Sequence, residues 1–300
     1  MTTIAPAPPA TATPPPPLTP GGRRGLRVMF VVVAILLVSA TVIALGVASF
    51  RLSRFRVVAD ELTLPGDIRD LVIDTADVPA AIRLVTDRDA TEPRVSMRLL
   101  NSSRSGDQTL AVDRGANRAT VTVRDDAFGF TPWSRTGEIT VTLPPVLARN
   151  MAVTVHQETG VLLAQADLDE LITHGTDGLV VLSGSARRVE VHNEDGDIVT
   201  REPISVAESF TAETVDGDVT VDFKDAAPRT IEASTRDGDV TLELPGAGPY
   251  LVRADGPGNT TVTVPRTSDP ERAVAEVTVR TDDGTVAVTA LVDDRNRRHR

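Results

Sequence analysis

The sequence of 300 residues has no cysteine, a single lysine (Lys224) and only 3% aromatic residues. The absence of cysteine excludes disulfide scaffolds and thiolate metal sites. With so few aromatic side chains, the core is predicted to be narrow, filled by Val, Leu, Ile and Ala, and without room for a large enclosed pocket. The nucleophile elbow, the phosphate-binding loop and the zinc-protease helix motif are also missing. These absences favour a protein that is not an enzyme.

Acidic residues are missing from residues 1–56, which contain six arginines. Eight of the first 20 residues are proline, so residues 1–27 are predicted to be a disordered tail. Residues 28–50 carry no charge, and a helix of this length spans the roughly 30 Å hydrocarbon layer of a bilayer. They are predicted to form one transmembrane helix that contacts lipid, followed by a basic juxtamembrane linker at residues 51–56. A cleaved signal peptide is the alternative.

The orientation of the chain does not follow from its flanking charges, because three arginines lie on each side of the apolar segment. A short tail before a single span favours a cytoplasmic amino terminus and an extracytoplasmic main domain. The expected location is the cell membrane, with a single pass. Since the formal net charge is −11 and all the acidic residues follow residue 56, the domain would be repelled by phosphate, and no nucleic-acid partner is expected.

A repeat organises the rest of the chain. The tripeptide Asp-Gly-Asp occurs at residues 195–197, 216–218 and 237–239, and glycines recur at spacings of 18 or 21 residues. Self-similarity at such a period is typical of solenoids. Gly256 is the copy that fits the pattern least, because Pro257 interrupts its second strand. The predicted turn glycines are Gly160, Gly178, Gly196, Gly217, Gly238 and the more distant Gly284.

Apolar residues alternate with polar ones on both sides of each glycine, so each unit is predicted to be strand, tight turn, strand. In the clearest copies Val219, Val221, Val240 and Leu242 should point inwards. Asp-Gly also favours two-residue hairpins, which would give a meander or sandwich. Residue types repeat at fixed offsets, however, and this favours coils whose equivalent strands pair in parallel. The predicted fold is all-β: a single-domain β-solenoid over residues 57–292, with a basic disordered tail at 293–300.

The repeated motifs are similar to those of a known family. The sequences Thr-Val-Asp-Gly-Asp-Val-Thr-Val (214–221) and Thr-Arg-Asp-Gly-Asp-Val-Thr-Leu-Glu-Leu-Pro (235–245), placed after an amino-terminal apolar segment, resemble the bacterial membrane-anchored "putative adhesin" domains of unknown function. The resemblance covers roughly residues 57–292. It implies a β-solenoid exposed at the cell envelope, and it transfers no catalytic or binding residue.

Three histidines form the first candidate site. His156, His174 and His192 each lie four residues before a turn glycine, so a coil would stack them in one column. Stacked imidazoles could share a zinc or copper ion, or repel one another when protonated. They could equally be polar surface residues, because the column continues as Glu213, Ser234 and Arg280.

Aspartates on both sides of the turn glycines form the second candidate site. Stacked carboxylates repel one another, and calcium is the cofactor that would relieve this repulsion. Asp-Gly is also ordinary turn chemistry, so the alternative is a set of solvated turn residues that bind no cofactor. The residues concerned are Asp195, Asp197, Asp216, Asp218, Asp237 and Asp239.

Two further segments could contact partners. Residues 128–133 contain three aromatic side chains, which could stack on a glycan or cap the solenoid. Residues 295–300 are strongly basic and could hold an anionic polymer or lipid. The sequence therefore predicts a non-catalytic surface module, adhesin-like or an envelope scaffold, with an unidentified envelope protein or glycan as partner. The alternatives are a membrane-tethered sensor of envelope stress and a glycan-active β-helix enzyme.

Overall fold

β-Strands make up nearly all of the polypeptide described by the structure, a computed structural model that covers residues 55–76, 78–102, 108–125 and 136–291. A single short helix in these ranges, α1 (Pro145–Ala148), precedes the eighth strand. The strands are β1 Phe55–Thr63, β2 Asp70–Asp74, β3 Ala80–Thr86, β4 Arg94–Ser102, β5 Gln108–Arg114, β6 Arg118–Asp125, β7 Thr136–Leu143, β8 Ala152–His192, β9 Ile198–Thr200, β10 Ser205–Glu213, β11 Val219–Asp222, β12 Thr230–Asp237, β13 Val240–Leu244, β14 Tyr250–Asp255, β15 Thr260–Val262, β16 Ala275–Asp283 and β17 Val286–Ala290.

The amino-terminal predictions fall mostly outside these ranges. The proline-rich tail, the apolar segment at residues 28–50 and residues 51–54 of the basic linker are not described. Strand β1 starts at Phe55, two residues before the expected start of the domain, and its first residue pairs with Ser102. Within the described ranges, no helix has the length and apolar character needed to cross a bilayer.

Equivalent strands of successive repeats pair in parallel and in register. Strand β11 pairs with β13 so that Val219 lies beside Val240 and Val221 beside Leu242. Strand β10 pairs in the same way with β8 on one side and with β12 on the other. Hairpins would require antiparallel pairing within a repeat, so this register confirms the predicted coils.

The interior of the coils is a set of apolar columns at the predicted offsets from each glycine. Val219, Val221, Val240 and Leu242 are completely buried. Seven residues before the glycines, the side chains of Val153, Leu171, Val189, Phe210, Ile231 and Val277 are all buried. Because each coil covers the apolar residues of its neighbour, the burial of one coil depends on the next.

The order of the coils in space departs from their order in the sequence at the carboxy-terminal end. Strands β16 and β17 stack directly on β12 and β13. Strands β14 and β15, which come earlier in the sequence, lie on the far side of β16 and β17.

Gly256, the copy that fits the pattern least, is not the turn glycine of the coil formed by β14 and β15. Gly258 occupies the position instead, and its N–H donates a hydrogen bond of 3.1 Å to the carbonyl oxygen of Gly284. Pro257, between the two glycines, has no N–H to donate, and the stacking contact forms at Gly258, two residues after Gly256.

At the amino-terminal end, too, the order of the coils in space differs from their order in the sequence. Strands β2 and β3 stack on the first part of β8, and β6 and β7 lie beyond them. Strands β1, β4 and β5 depart from the predicted solenoid, because β1–β4, β4–β7 and β5–β6 are antiparallel pairs. The predicted parallel coil therefore does not extend unbroken from residue 57.

Candidate functional site

The turn glycines stack so closely that no side chain fits between them. A Cβ placed on Gly217 would lie 2.4 Å from the carbonyl oxygen of Gly196, and one on Gly238 would lie 2.2 Å from that of Gly217. Both glycines also have a positive φ, of 143° and 148°, a region that favours glycine. The recurrence of glycine at these positions is therefore explained by the approach of one backbone to the next.

The aspartates before these glycines form a ladder through their backbones. Asp177, Asp195, Asp216 and Asp237 pair successively as parallel bridges. Gly196 N–H donates to the carbonyl oxygen of Asp216 at 2.7 Å, and Gly217 N–H to that of Asp237 at 2.9 Å. These side chains are exposed. They are therefore turn residues whose carboxylates face solvent.

The aspartates after the glycines bind backbone N–H groups. The Oδ1 atom of Asp197 accepts a hydrogen bond from Asp218 N–H at 2.9 Å, and Oδ1 of Asp218 accepts one from Asp239 N–H at 2.8 Å. The last member, Asp239, accepts from Thr285 N–H at 2.7 Å. A carboxylate that accepts such bonds is stabilised without a cation. The repeated aspartates thus have a structural role in joining the coils, and their repetition is not by itself evidence for a calcium site.

A further column beside the turn was not recognised in the sequence. Three residues before their glycines, buried threonines donate to the carbonyl oxygen of the preceding turn glycine: Thr214 to Gly196 at 3.1 Å, Thr235 to Gly217 at 2.9 Å and Thr281 to Gly238 at 2.8 Å. Asn193 donates in the same way to Gly178. These bonds satisfy carbonyl groups that the tight turns leave inside the protein.

The predicted histidine column exists. The ring centroids of His156 and His174 are 5.1 Å apart with 8° between the planes, and those of His174 and His192 are 5.4 Å apart with 6° between the planes. Asp74 pairs with His156 in the neighbouring coil, and Glu213 pairs with His192. Three stacked imidazoles therefore lie between two carboxylates.

The three imidazoles differ in their surroundings. His192 contacts two carboxylates, with Nδ1 at 3.1 Å from Glu213 Oε2 and Nε2 at 2.7 Å from Glu190 Oε1. Partial burial, followed by the positive charge that His156 and His192 can carry, lowers the pKa of His174, and Glu190 opposes this effect. Protonation of His174 therefore requires a lower pH than protonation of an ordinary imidazole.

These rings line a groove of about 400 Å³ on the surface. Its other walls include the acidic side chains of Asp74, Glu158 and Glu194. Within the described ranges, no three histidine, aspartate or glutamate side chains are assembled around a point where a metal ion could bind. Because the rings are stacked face to face, two of them could share an ion only after their side chains rotate.

A column of charged side chains around Arg187, on another face of the coils, was also not recognised in the sequence. Arg187 binds Asp169 through two hydrogen bonds, of 2.8 and 3.0 Å, and contacts Glu208 at 2.5 Å. Arg188 lies 3.2 Å from Glu170. Hydrogen bonding to Arg187 lowers the pKa of both Asp169 and Glu208. The alternation of acid, base and acid at this offset was visible in the sequence as Asp169, Arg187 and Glu208.

Asp222 and Glu243 form an unfavourable pair, since they lie side by side in β11 and β13. Burial raises the pKa of Asp222, and burial together with the charge of Asp222 raises that of Glu243. Both carboxylates are therefore more costly to ionise in the folded state than in the unfolded chain. Stability should rise as the pH falls through their folded pKa values.

We expect Asp222→Asn to stabilise the protein at pH 7 by about 0.5–1 kcal/mol, because it removes one of two like charges on adjacent strands. The gain should shrink as the pH falls through the raised folded pKa values of the parent, and it should vanish below the pKa of an unfolded carboxylate. Urea unfolding at several pH values measures this difference. Glu232→Gln, at an exposed position of β12, is the control and should show no such gain. An equal gain at all pH values would contradict the assignment.

Two predicted segments lie outside the described residues: the aromatic segment 128–133 and the basic tail 293–300.

No curated protein matches this sequence. Among solved structures, the chain is similar to one described as a putative adhesin from Bacteroides fragilis NCTC 9343, with 11% identity, a TM-score of 0.41 and coverage of 78% of this chain and 97% of that one. It is also similar to a putative adhesin from Parabacteroides merdae ATCC 43184, with 11% identity, a TM-score of 0.40 and coverage of 79% and 97%. A structure described as a putative lipid binding protein from Parabacteroides distasonis ATCC 8503 gives 11% identity, a TM-score of 0.41 and coverage of 78% and 97%.

The model of one protein family matches the coil region. Its description is Toastrack DUF4097, and the match covers residues 157–289, somewhat less than half of the chain. This segment contains the three Asp-Gly-Asp turns, His174, His192 and the charged column around Arg187. The coil region is thus similar to the Toastrack DUF4097 family, which supports the resemblance to adhesin-like domains of unknown function.

Proposed function

We propose that the chain is a membrane-anchored, non-catalytic surface module whose coils lie outside the cytoplasm and bind an envelope protein or glycan. The observation that carries the proposal is the arrangement of its surface. Polar side chains stand in columns that repeat at the spacing of one coil, about 4.8 Å. The histidine column, the aspartate ladder and the column around Arg187 are three examples.

Columns of this kind suit an extended partner. They present carboxylate, imidazole and guanidinium groups in rows, and a polymer or extended polypeptide could meet the same group in several coils. The aspartates after the turn glycines are already engaged by backbone N–H groups. This favours a structural role for those acids over a catalytic one. The apolar segment at residues 28–50 supplies the proposed anchor.

The lack of cysteine makes the orientation directly testable. We expect a Thr176→Cys variant, at an exposed position in the histidine groove, to react with a membrane-impermeant maleimide in intact spheroplasts. A Thr13→Cys variant, in the proline-rich tail, should react only after lysis. The parent chain, which has no cysteine, is the control for background labelling.

The opposite labelling pattern would place the coils in the cytoplasm and overturn the proposal. Labelling of neither variant before lysis would overturn it as well, provided that both react after lysis. The expected pattern would support the anchor and the orientation together, because a cleaved signal peptide would remove Thr13 from the mature chain.

A further inference from the structure

Two imidazoles of the histidine column have no polar partner in the described part of the chain. His192 is held by Glu190 and Glu213. No hydrogen bond or ion pair with another described residue engages the ring nitrogens of His156 and His174, which contact each other by stacking. Their nitrogens are therefore available to a ligand from solution.

The charge around these rings favours a cation. Asp74 lies beside His156 in the next coil, and Glu158 and Glu194 line the same groove. An anionic ligand would be repelled by these carboxylates, whereas a metal cation would be attracted. Imidazole nitrogen is a preferred ligand of zinc and copper ions.

The position of the two histidines also suits a metal. They occupy equivalent positions in adjacent coils, and their ring centroids are 5.1 Å apart. Imidazole nitrogens bind zinc at about 2.0–2.1 Å, so two ligands of one ion lie within about 4 Å of each other. His156 and His174 are both exposed, and rotation of their side chains can bring the nitrogens together without any change in the core.

We propose that His156 and His174 form a two-imidazole binding site for a divalent transition metal ion. Cu²⁺ should bind more tightly than Zn²⁺, since this is the general order of affinities for nitrogen ligands. Water and the carboxylate of Glu158, two residues after His156 on the same outward face, complete the coordination. Because the described residues contain no three-residue cluster assembled in advance, the ion orders the side chains as it binds.

The proposal is tested by calorimetric titration of the full-length chain in detergent micelles with Cu²⁺ and with Zn²⁺ at pH 7.5. We expect one ion per chain. His156→Asn and His174→Asn should each weaken binding by about tenfold or more, since loss of even an indirect partner of a metal ligand costs 10–100-fold. His192→Asn is the matched control. It removes an imidazole from the same column but one already held by carboxylates, and it should change the affinity by less than about threefold.

Electron paramagnetic resonance of the Cu²⁺ complex provides a second measurement and should show coupling to two imidazole nitrogens. Equal binding by the parent and the His156→Asn/His174→Asn double variant would overturn the proposal and direct attention to His299, the remaining histidine outside the column. A loss of affinity in His192→Asn as large as in His174→Asn would also overturn it.

Thermal melts of each variant should match the parent within about 2 °C, because surface substitutions change stability little. Such a match confirms that folding is intact.

Discussion

Val240→Asp should destabilise the coil region by several kcal/mol and lower its melting temperature strongly. Val240 is completely buried and lies between Val219 and Val286 of the two adjacent coils. An aspartate there would place a carboxylate among apolar side chains with no donor or cation in reach, and burying such a group costs several kcal/mol. Globular domains are stable by only about 5–15 kcal/mol, so one such change consumes much of the total.

The neighbouring residue provides the control. Thr241 lies next to Val240 in β13 and faces outwards, half-buried. Thr241→Asp introduces the same charge one residue away and should cost less than about 1 kcal/mol, as most surface substitutions do. Thermal unfolding followed by circular dichroism distinguishes the two variants. If Val240→Asp melts within a degree or two of Thr241→Asp, the inward assignment of this column is wrong.

The middle coils could be predicted from the sequence because three signals coincide there. Apolar alternation, the Asp-Gly turn and the fixed offset all point to the same unit, and Val219, Val221, Val240 and Leu242 are buried as expected. The parallel register follows from the stacking of like residues on like. The histidine column was predicted by the same logic, because equal offsets from successive glycines become adjacent positions in successive coils.

The ends of the solenoid could not be predicted in the same way. The offsets say which residues occupy equivalent positions, but not which coil stacks on which. Gly284 follows Gly238 in space although residues 250–262 come between them in the sequence. The antiparallel strands β1, β4 and β5 contain no Asp-Gly-Asp turn, so the repeat gave no information about their partners.

The sequence alone gave no physical reason to single out the threonine column or the charged column. Thr214, Thr235 and Thr281 all lie three residues before a glycine, and threonine is a common residue on the surface of strands. Their importance comes from the glycine carbonyl that each one reaches. That carbonyl becomes a buried acceptor only once the coils are stacked. Asp169, Arg187 and Glu208 likewise lie at one offset from successive glycines, but their ion pairs form only once the coils are stacked.

Successive coils approach one another most closely at the column of turn glycines. A Cβ on Gly238 would lie 2.2 Å from the carbonyl oxygen of Gly217, and φ is 148°. The obstacle is backbone, so it cannot rotate away as a side chain would. The N–H of Gly238 also donates to the carbonyl oxygen of Asp283 at 2.9 Å, which holds the turn in place from the other side.

Gly238→Ala should therefore destabilise the protein by about 3 kcal/mol or more, since an unfavourable φ alone costs about 1–3 kcal/mol and the overlap with Gly217 adds to it. Gly246→Ala is the matched control, because a Cβ at Gly246 meets nothing within 4 Å. It should lie within about 0.5 kcal/mol of the parent. Urea unfolding of both variants measures the difference in the free energy of unfolding.

Equal stability of the two variants would mean that successive turns are further apart than described, and it would remove the physical explanation for the repeated glycine. A selective loss in Gly238→Ala would show that this residue is required by the contact between coils, since both substitutions restrict the unfolded chain to the same extent.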